Sequence, residues 1–110
     1  MPESRMNEVA QELSSQSKDG KVSWEDAGRR ASYRVFFPDV VLVISRMQPS
    51  LEEGSDLQLE LMSDTGSVID SLDTTPEETM HLVLSEIFDL AEQHVRDIGI
   101  NKALDYLKRT

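Results

Sequence analysis

The spacing of apolar residues changes period along the chain, and each change marks a predicted element. Between residues 4 and 17, Met6, Val9, Ala10 and Leu13 recur at i, i+3, i+4 and i+7, the stripe of an amphipathic helix. Ser4 supplies an N-cap and Asp19-Gly20 a stop. The stripe is narrow, which predicts a helix resting on a larger surface. The period then falls to two. Lys21–Glu25 places Val22 and Trp24 on one face of a strand, and Asp26-Ala27-Gly28-Arg29 makes a turn.

The densest apolar stretch is 31–47, ASYRVFFPDVVLVISRM. It reads as two strands meeting at Pro38-Asp39, because proline cannot donate to a ladder and fixes the turn. In the first strand Ala31, Tyr33, Val35 and Phe37 face one way, and Arg30, Ser32, Arg34 and Phe36 the other. The second, Val40–Arg46, is apolar on both faces until Ser45, as expected of a central strand covered on both sides. Residues 48–56, QPSLEEGSD, form a loop by composition. Leu57–Met62 alternates again, with Leu57, Leu59 and Leu61 inward. Ser63-Asp64-Thr65-Gly66 is a hairpin turn, and a fifth strand runs over 67–72.

Period 3.6 returns after Asp73. Thr75 as N-cap, Pro76 at the first helical position and Glu78 three residues past the cap make a capping box. Met80, Val83, Leu84, Ile87, Phe88, Ala91, Val95 and Ile98 carry the stripe for about five turns. Gly99 is expected to stop it, leaving a short final helix capped by Asn101 that uses Ala103, Leu104 and Leu107. Grouped strands followed by helices indicate an α+β class: an N-terminal helix, an antiparallel sheet of about five strands, a long C-terminal helix and a short helix after it. At 110 residues the chain is one domain, which buries roughly 65% of its unfolded surface.

Composition narrows this picture. Hydrophobic residues at 38% and charged residues at 29% are those of a soluble globular chain. There is no cysteine, hence no disulfide framework, thiolate metal site or cysteine nucleophile. The first residues, MPESRMNEVAQELSSQ, lack the apolar core of a secretory signal, and no run approaches the ~18–20 apolar residues that span a membrane. A cytoplasmic location is the expectation. Net charge is −10, a field that repels nucleic-acid phosphates. It is unevenly spread, at −2 over 1–20, +2 over 21–48, −9 over 49–80 and −1 over 81–110. The block 49–80 contains no Lys or Arg, and the net-positive stretch is the central hairpin.

Candidate chemistry is sparse. His81 and His94 lie thirteen residues apart on the long helix, about 19 Å along its axis, so they cannot share a metal within one chain. Glu78-Thr79-Met80-His81 matches one Glu-x-x-His of a carboxylate di-metal site, which needs the motif twice plus two further glutamates. Asp64–Asp70 lacks the alternating ligands and closing glutamate of a calcium loop. Ser63, Ser67 and Ser71 have no neighbouring histidine or nucleophile elbow, and the five glycines form no phosphate loop. No catalytic residue, metal ligand or cofactor is assigned. Three groups remain as candidate partner-binding residues. Phe36, Val41 and Val43 point away from the main core face, to be covered by the N-terminal helix or by a dimer partner. Arg30, Arg34 and Arg46 form a basic cluster, with internal ion pairing as its plain use. Glu52, Glu53 and Asp56 lead the acidic block, whose plain use is a solvated face.

The layout loosely resembles small bacterial single-domain α+β proteins without an assigned biochemical role. The likeness rests on the leading helix, Trp24-Glu25, Tyr33, the Leu57–Leu61 strand, the Asp64-Thr65-Gly66-Ser67-Val68-Ile69 hairpin and the Leu90-Ala91 helix. It implies a bacterial domain and carries no catalytic residue across. In size, acidity and helix–sheet–helix order the chain is also similar to type III secretion chaperones, dimers that bind unfolded effector segments; those interpose a helix where this chain has QPSLEEGSD. The expectation is a non-enzymatic protein-interaction module, homodimeric, that binds a protein partner and neither nucleic acid nor membrane. The alternative is an acidic inhibitor, an immunity-type protein or a chaperone-like protein that takes a basic or unfolded partner.

Overall fold

A computed structural model describes residues 5–28, 31–47 and 56–109. Its order is α1 (Met6–Lys18), β1 (Glu25–Asp26), β2 (Ser32–Phe36), β3 (Val40–Arg46), β4 (Leu57–Ser63), β5 (Val68–Thr74) and α2 (Thr79–Lys108). The five strands form one antiparallel sheet in sequence order, so β3 is central, as its two-faced apolarity predicts. The class is therefore α+β.

Helix α1 buries Met6, Ala10, Leu13 and Ser14 and leaves Val9 half-buried. It ends as predicted at Asp19-Gly20. Gly20 takes φ +72°, its N–H donates to Ser17 O, and the Lys21 N–H donates to Gln16 O, the paired bonds of a Schellman cap. The expected Ser4 cap lies outside the described residues. Strand β1 is much shorter than the 21–25 reading. Val22 and Trp24 are buried, but from the lead-in rather than a ladder, and the Trp24 Nε1–H donates to Ser17 Oγ on α1 at 3.2 Å. Burial of alternate residues was correctly read; the hydrogen-bonding partner it implied is α1, not a strand.

The two hairpin turns stand where composition put them. At Pro38-Asp39 the Phe37 N–H donates to Val40 O, and at 63–66 Gly66 takes φ +94° while its N–H donates to Ser63 O. The predicted capping box is half-formed: the Glu78 carboxylate accepts the Thr75 N–H at 3.2 Å, while α2 itself begins at Thr79.

Both helices lie on one face of the sheet. The core joins Met6, Ala10 and Leu13 of α1 and Leu84, Ile87, Phe88 and Ala91 of α2 to Val35, Leu42, Ile44, Leu57 and Leu59. α2 contacts all five strands, and α1 packs beside it and against β5. Between the helices, Lys18 Nζ and Ser14 Oγ reach Glu86 Oε2 at 3.0 and 3.3 Å. The hydrogen bond and charge of Lys18 hold the Glu86 carboxyl below its ordinary range. The expectation of α1 as a cover for the opposite sheet face is thus corrected: α1 shares the first face with α2.

The short final helix is also corrected. α2 runs unbroken through Gly99 to Lys108, thirty residues or about 45 Å. Gly99 costs a helix only ~1 kcal/mol relative to alanine, and no proline follows to end it. The last buried residue of α2 is Ala91, and every residue from Arg96 to Arg109 is exposed. The distal helix projects, and the molecule measures 60 × 36 × 25 Å. Among the described residues no helix is long and apolar enough to cross a membrane.

Candidate interaction surface

Strand register decides what the helix-free face presents, because directly paired residues of an antiparallel ladder share a face. One row crosses four strands: Phe36 pairs Val41, Val41 pairs Met62, and Met62 pairs Val68. The next row is Glu25, Arg34, Val43, Glu60 and Ser71, and the third is Ser32, Ser45, Gln58 and Asp73. The face therefore grades from apolar at the Pro38 end to polar at the other.

A β-bulge creates the outer end of the apolar row. Leu61 pairs Asp70 but Met62 pairs Val68, so Ile69 is the extra residue and two apolar side chains oppose one. Phe36, Val68 and Ile69 are 52%, 54% and 55% exposed, while Val43 beneath them is buried. Together with Asp64 and Gly66 of the hairpin turn, Arg34, Phe36, Val41, Val43 and Met62 line a shallow depression of about 260 Å³. Phe36, Val41 and Val43 are thus brought together as their alternation predicts. Met62 was legible too, since Leu57, Leu59 and Leu61 point inward and the next residue in phase points out. Val68 was not, because it reaches the row only through the bulge.

Polar groups complete the surface. Glu25, Glu60 and Asp73 stand on this face against Arg34. The Arg34 guanidinium lies 4.9 Å over the Phe36 ring, and its buried Nε has no hydrogen-bond partner among the described residues. At the polar end Ser32 Oγ donates to Ser45 Oγ at 2.9 Å, which satisfies two buried hydroxyls of neighbouring strands.

The basic cluster is not assembled. Arg46 follows Ile44 in phase, so its side chain lies on the helix face, 4.5 Å over the Phe88 ring, while Arg34 stands on the opposite face. The backbone brings Arg46 to the start of β2, its N–H donating to Ala31 O, and that places it on the face of Ala31, Tyr33 and Val35, opposite Arg34. Arg30, Glu52 and Glu53 lie outside the described residues. Asp56 is exposed just before β4, where its carbonyl accepts the Met47 N–H.

His81 serves structure. His81 Nδ1 shares a 3.0 Å hydrogen bond with Thr74 Oγ1, whose residue is 1% exposed and also reaches Leu57 O. This ties the start of α2 to the ends of β4 and β5. Tyr33 meets Phe88 edge-on at 5.4 Å; burial first, then Glu92 and Asp26, raises its phenol pKa above the ordinary value. Among the described residues no group of three acidic or histidine side chains could hold a metal ion.

Two further apolar features are exposed. A cleft of about 450 Å³ lies between α1 and the β2–β3 hairpin, lined by Val9, Leu13, Val22, Phe37 and Leu42. Its rim is electrically mixed, with Glu12, Lys21 and the Arg5–Glu8 ion pair. On the distal helix, Ile100, Leu104 and Leu107 are 51%, 44% and 69% exposed. No protein-family model matches the chain, and no curated protein or solved structure compared with it is similar to it.

Proposed function

We propose that this protein is a non-enzymatic protein-interaction module whose helix-free sheet face receives a protein partner. The observation that carries the reading is the row Phe36–Val41–Met62–Val68, a contiguous apolar band across four strands that no described helix covers. A sheet is ordinarily buried on its apolar face against another layer, and exposed contiguous apolar area on a soluble protein marks a contact surface. The carboxylates around the band and the Arg34 guanidinium over Phe36 add polar groups that a partner's complementary groups would meet.

Quantitative affinity capture from the native host tests this, with the wild-type chain as bait beside Phe36→Asp/Val68→Asp and a control, Leu82→Asp, on the exposed side of α2. At least one protein, a native copy of the chain included, is expected to be retained near stoichiometrically by the wild type and the control and lost from the sheet-face variant. Identical capture by all three baits contradicts the reading.

A further inference from the structure

The distal helix has its own apolar stripe, and it faces the wrong way to join the core. The core stripe of α2 ends at Ala91, and Ile100 lies nine residues on, which is two and a half turns at 3.6 residues per turn. Ile100, Leu104 and Leu107, at i, i+4 and i+7, therefore run along the side of the helix opposite its sheet-packed side. Because the helix continues unbroken through Gly99 and residues 96–109 are all exposed, this stripe lies on the side turned away from the sheet. Among the described residues the protein thus carries two exposed apolar elements: a stripe on a projecting helix, and a band on the sheet face that no described helix covers.

We propose that the two cover each other between copies of the chain. The distal helix of each protomer lies across the open sheet face of its partner, Ile100, Leu104 and Leu107 on the Phe36–Val41–Met62–Val68 band. This deepens the reading of the sheet face as a partner surface, and rests on it, by naming the partner as a second copy. Dimensions agree. The band spans four strands, about 14 Å at ~4.8 Å per strand spacing, and Ile100 to Leu107 covers about 10.5 Å at ~1.5 Å per residue. The exchange is reciprocal, so one two-fold axis closes it and both protomers gain the missing layer.

Charge chooses the occupant. Segment 96–109 has four cationic and two anionic side chains, a net +2, so the remainder of this −10 chain carries −12. Arg96, one turn before Ile100 and ion-paired to Glu92 at 3.4 Å, and Lys108, beside Leu107, flank the stripe, and among the described residues Glu25, Glu60 and Asp73 share the sheet face with Arg34. Two distal helices packed on each other would instead set like net charge against like, and two sheet faces would do the same. The cleft beside α1 is a poorer seat, since its rim charges are mixed, Lys21 standing with Glu8 and Glu12.

Sedimentation velocity of the purified chain over a dilution series tests the proposal. The wild type is expected to sediment at twice the 12.4 kDa chain mass at about 100 µM and to dissociate on dilution. Leu104→Glu/Leu107→Glu, at exposed positions, and Phe36→Asp/Val68→Asp are each expected to be monomers with unchanged circular dichroism. Mixing the two variants restores a dimer weaker than the wild type, since the pair retains one intact helix–sheet contact of two. A wild type that is monomeric throughout overturns the second-copy assignment and leaves the sheet face to be judged by capture. A dimer that survives the helix variant, or a mixture that stays monomeric, overturns it equally.

Discussion

Phe88 concentrates the internal contacts of the first face. It is 1% exposed, meets Tyr33 edge-on and carries the Arg46 guanidinium over its ring, so one side chain joins α2 to β2 and β3. Replacing it with alanine removes apolar burial, an aromatic pair and a cation–π contact together, and leaves a cavity. Phe88→Ala is expected to lower unfolding stability by about 3–5 kcal/mol, measured by urea denaturation. A loss below about 1 kcal/mol would show that these contacts do not anchor the helix. At this scale much was legible beforehand. Alternation correctly assigned Tyr33 and Val35 inward and Arg34 and Phe36 outward, because side chains in a strand obey a period of two regardless of neighbours. Arg46 was misjudged for a physical reason: it lies opposite Ala31, which is out of phase with Arg34, so its guanidinium goes to the other face.

At the level of elements, α2 departs furthest from its sequence signal. Its stripe stops near Ile98, a glycine follows and a second stripe starts in a different phase, all of which resemble a helix boundary. Periodicity reports which side is buried, and a change of side is compatible with an unbroken backbone when the two halves have different partners. Gly99 sits in helical backbone with open space where a Cβ would stand. Gly99→Ala is therefore expected to favour the helical state of the distal segment by about 0.8–1 kcal/mol, read as greater amide-exchange protection over residues 100–107. Unchanged or reduced protection would mean that the helix breaks there. The turns at Gly20 and Gly66 were legible, since these glycines occupy left-handed positions that their neighbours would resist, whereas Ala31, read as a strand residue, takes φ +55° in the turn before β2.

For the whole molecule, element order gave the sheet and its sequence, but not which face the N-terminal helix takes. Neither stripe width nor strand alternation encodes that choice; it follows from α1 packing beside α2, joined through Lys18, Ser14 and Glu86. The consequence is a two-layer molecule in which no described helix covers the second sheet face, and the proposal seats the projecting helix of a second copy there. Hydroxyl-radical footprinting over a concentration series tests this most directly. Leu82 at 72% exposed and Phe88 at 1% serve as internal standards for open and buried side chains. In concentrated protein Phe36 and Met62 are predicted to be protected together with Leu104 and Leu107, and all four are predicted to become reactive together on dilution. Reactivity of Phe36 and Met62 that follows Leu82 at every concentration would contradict the account.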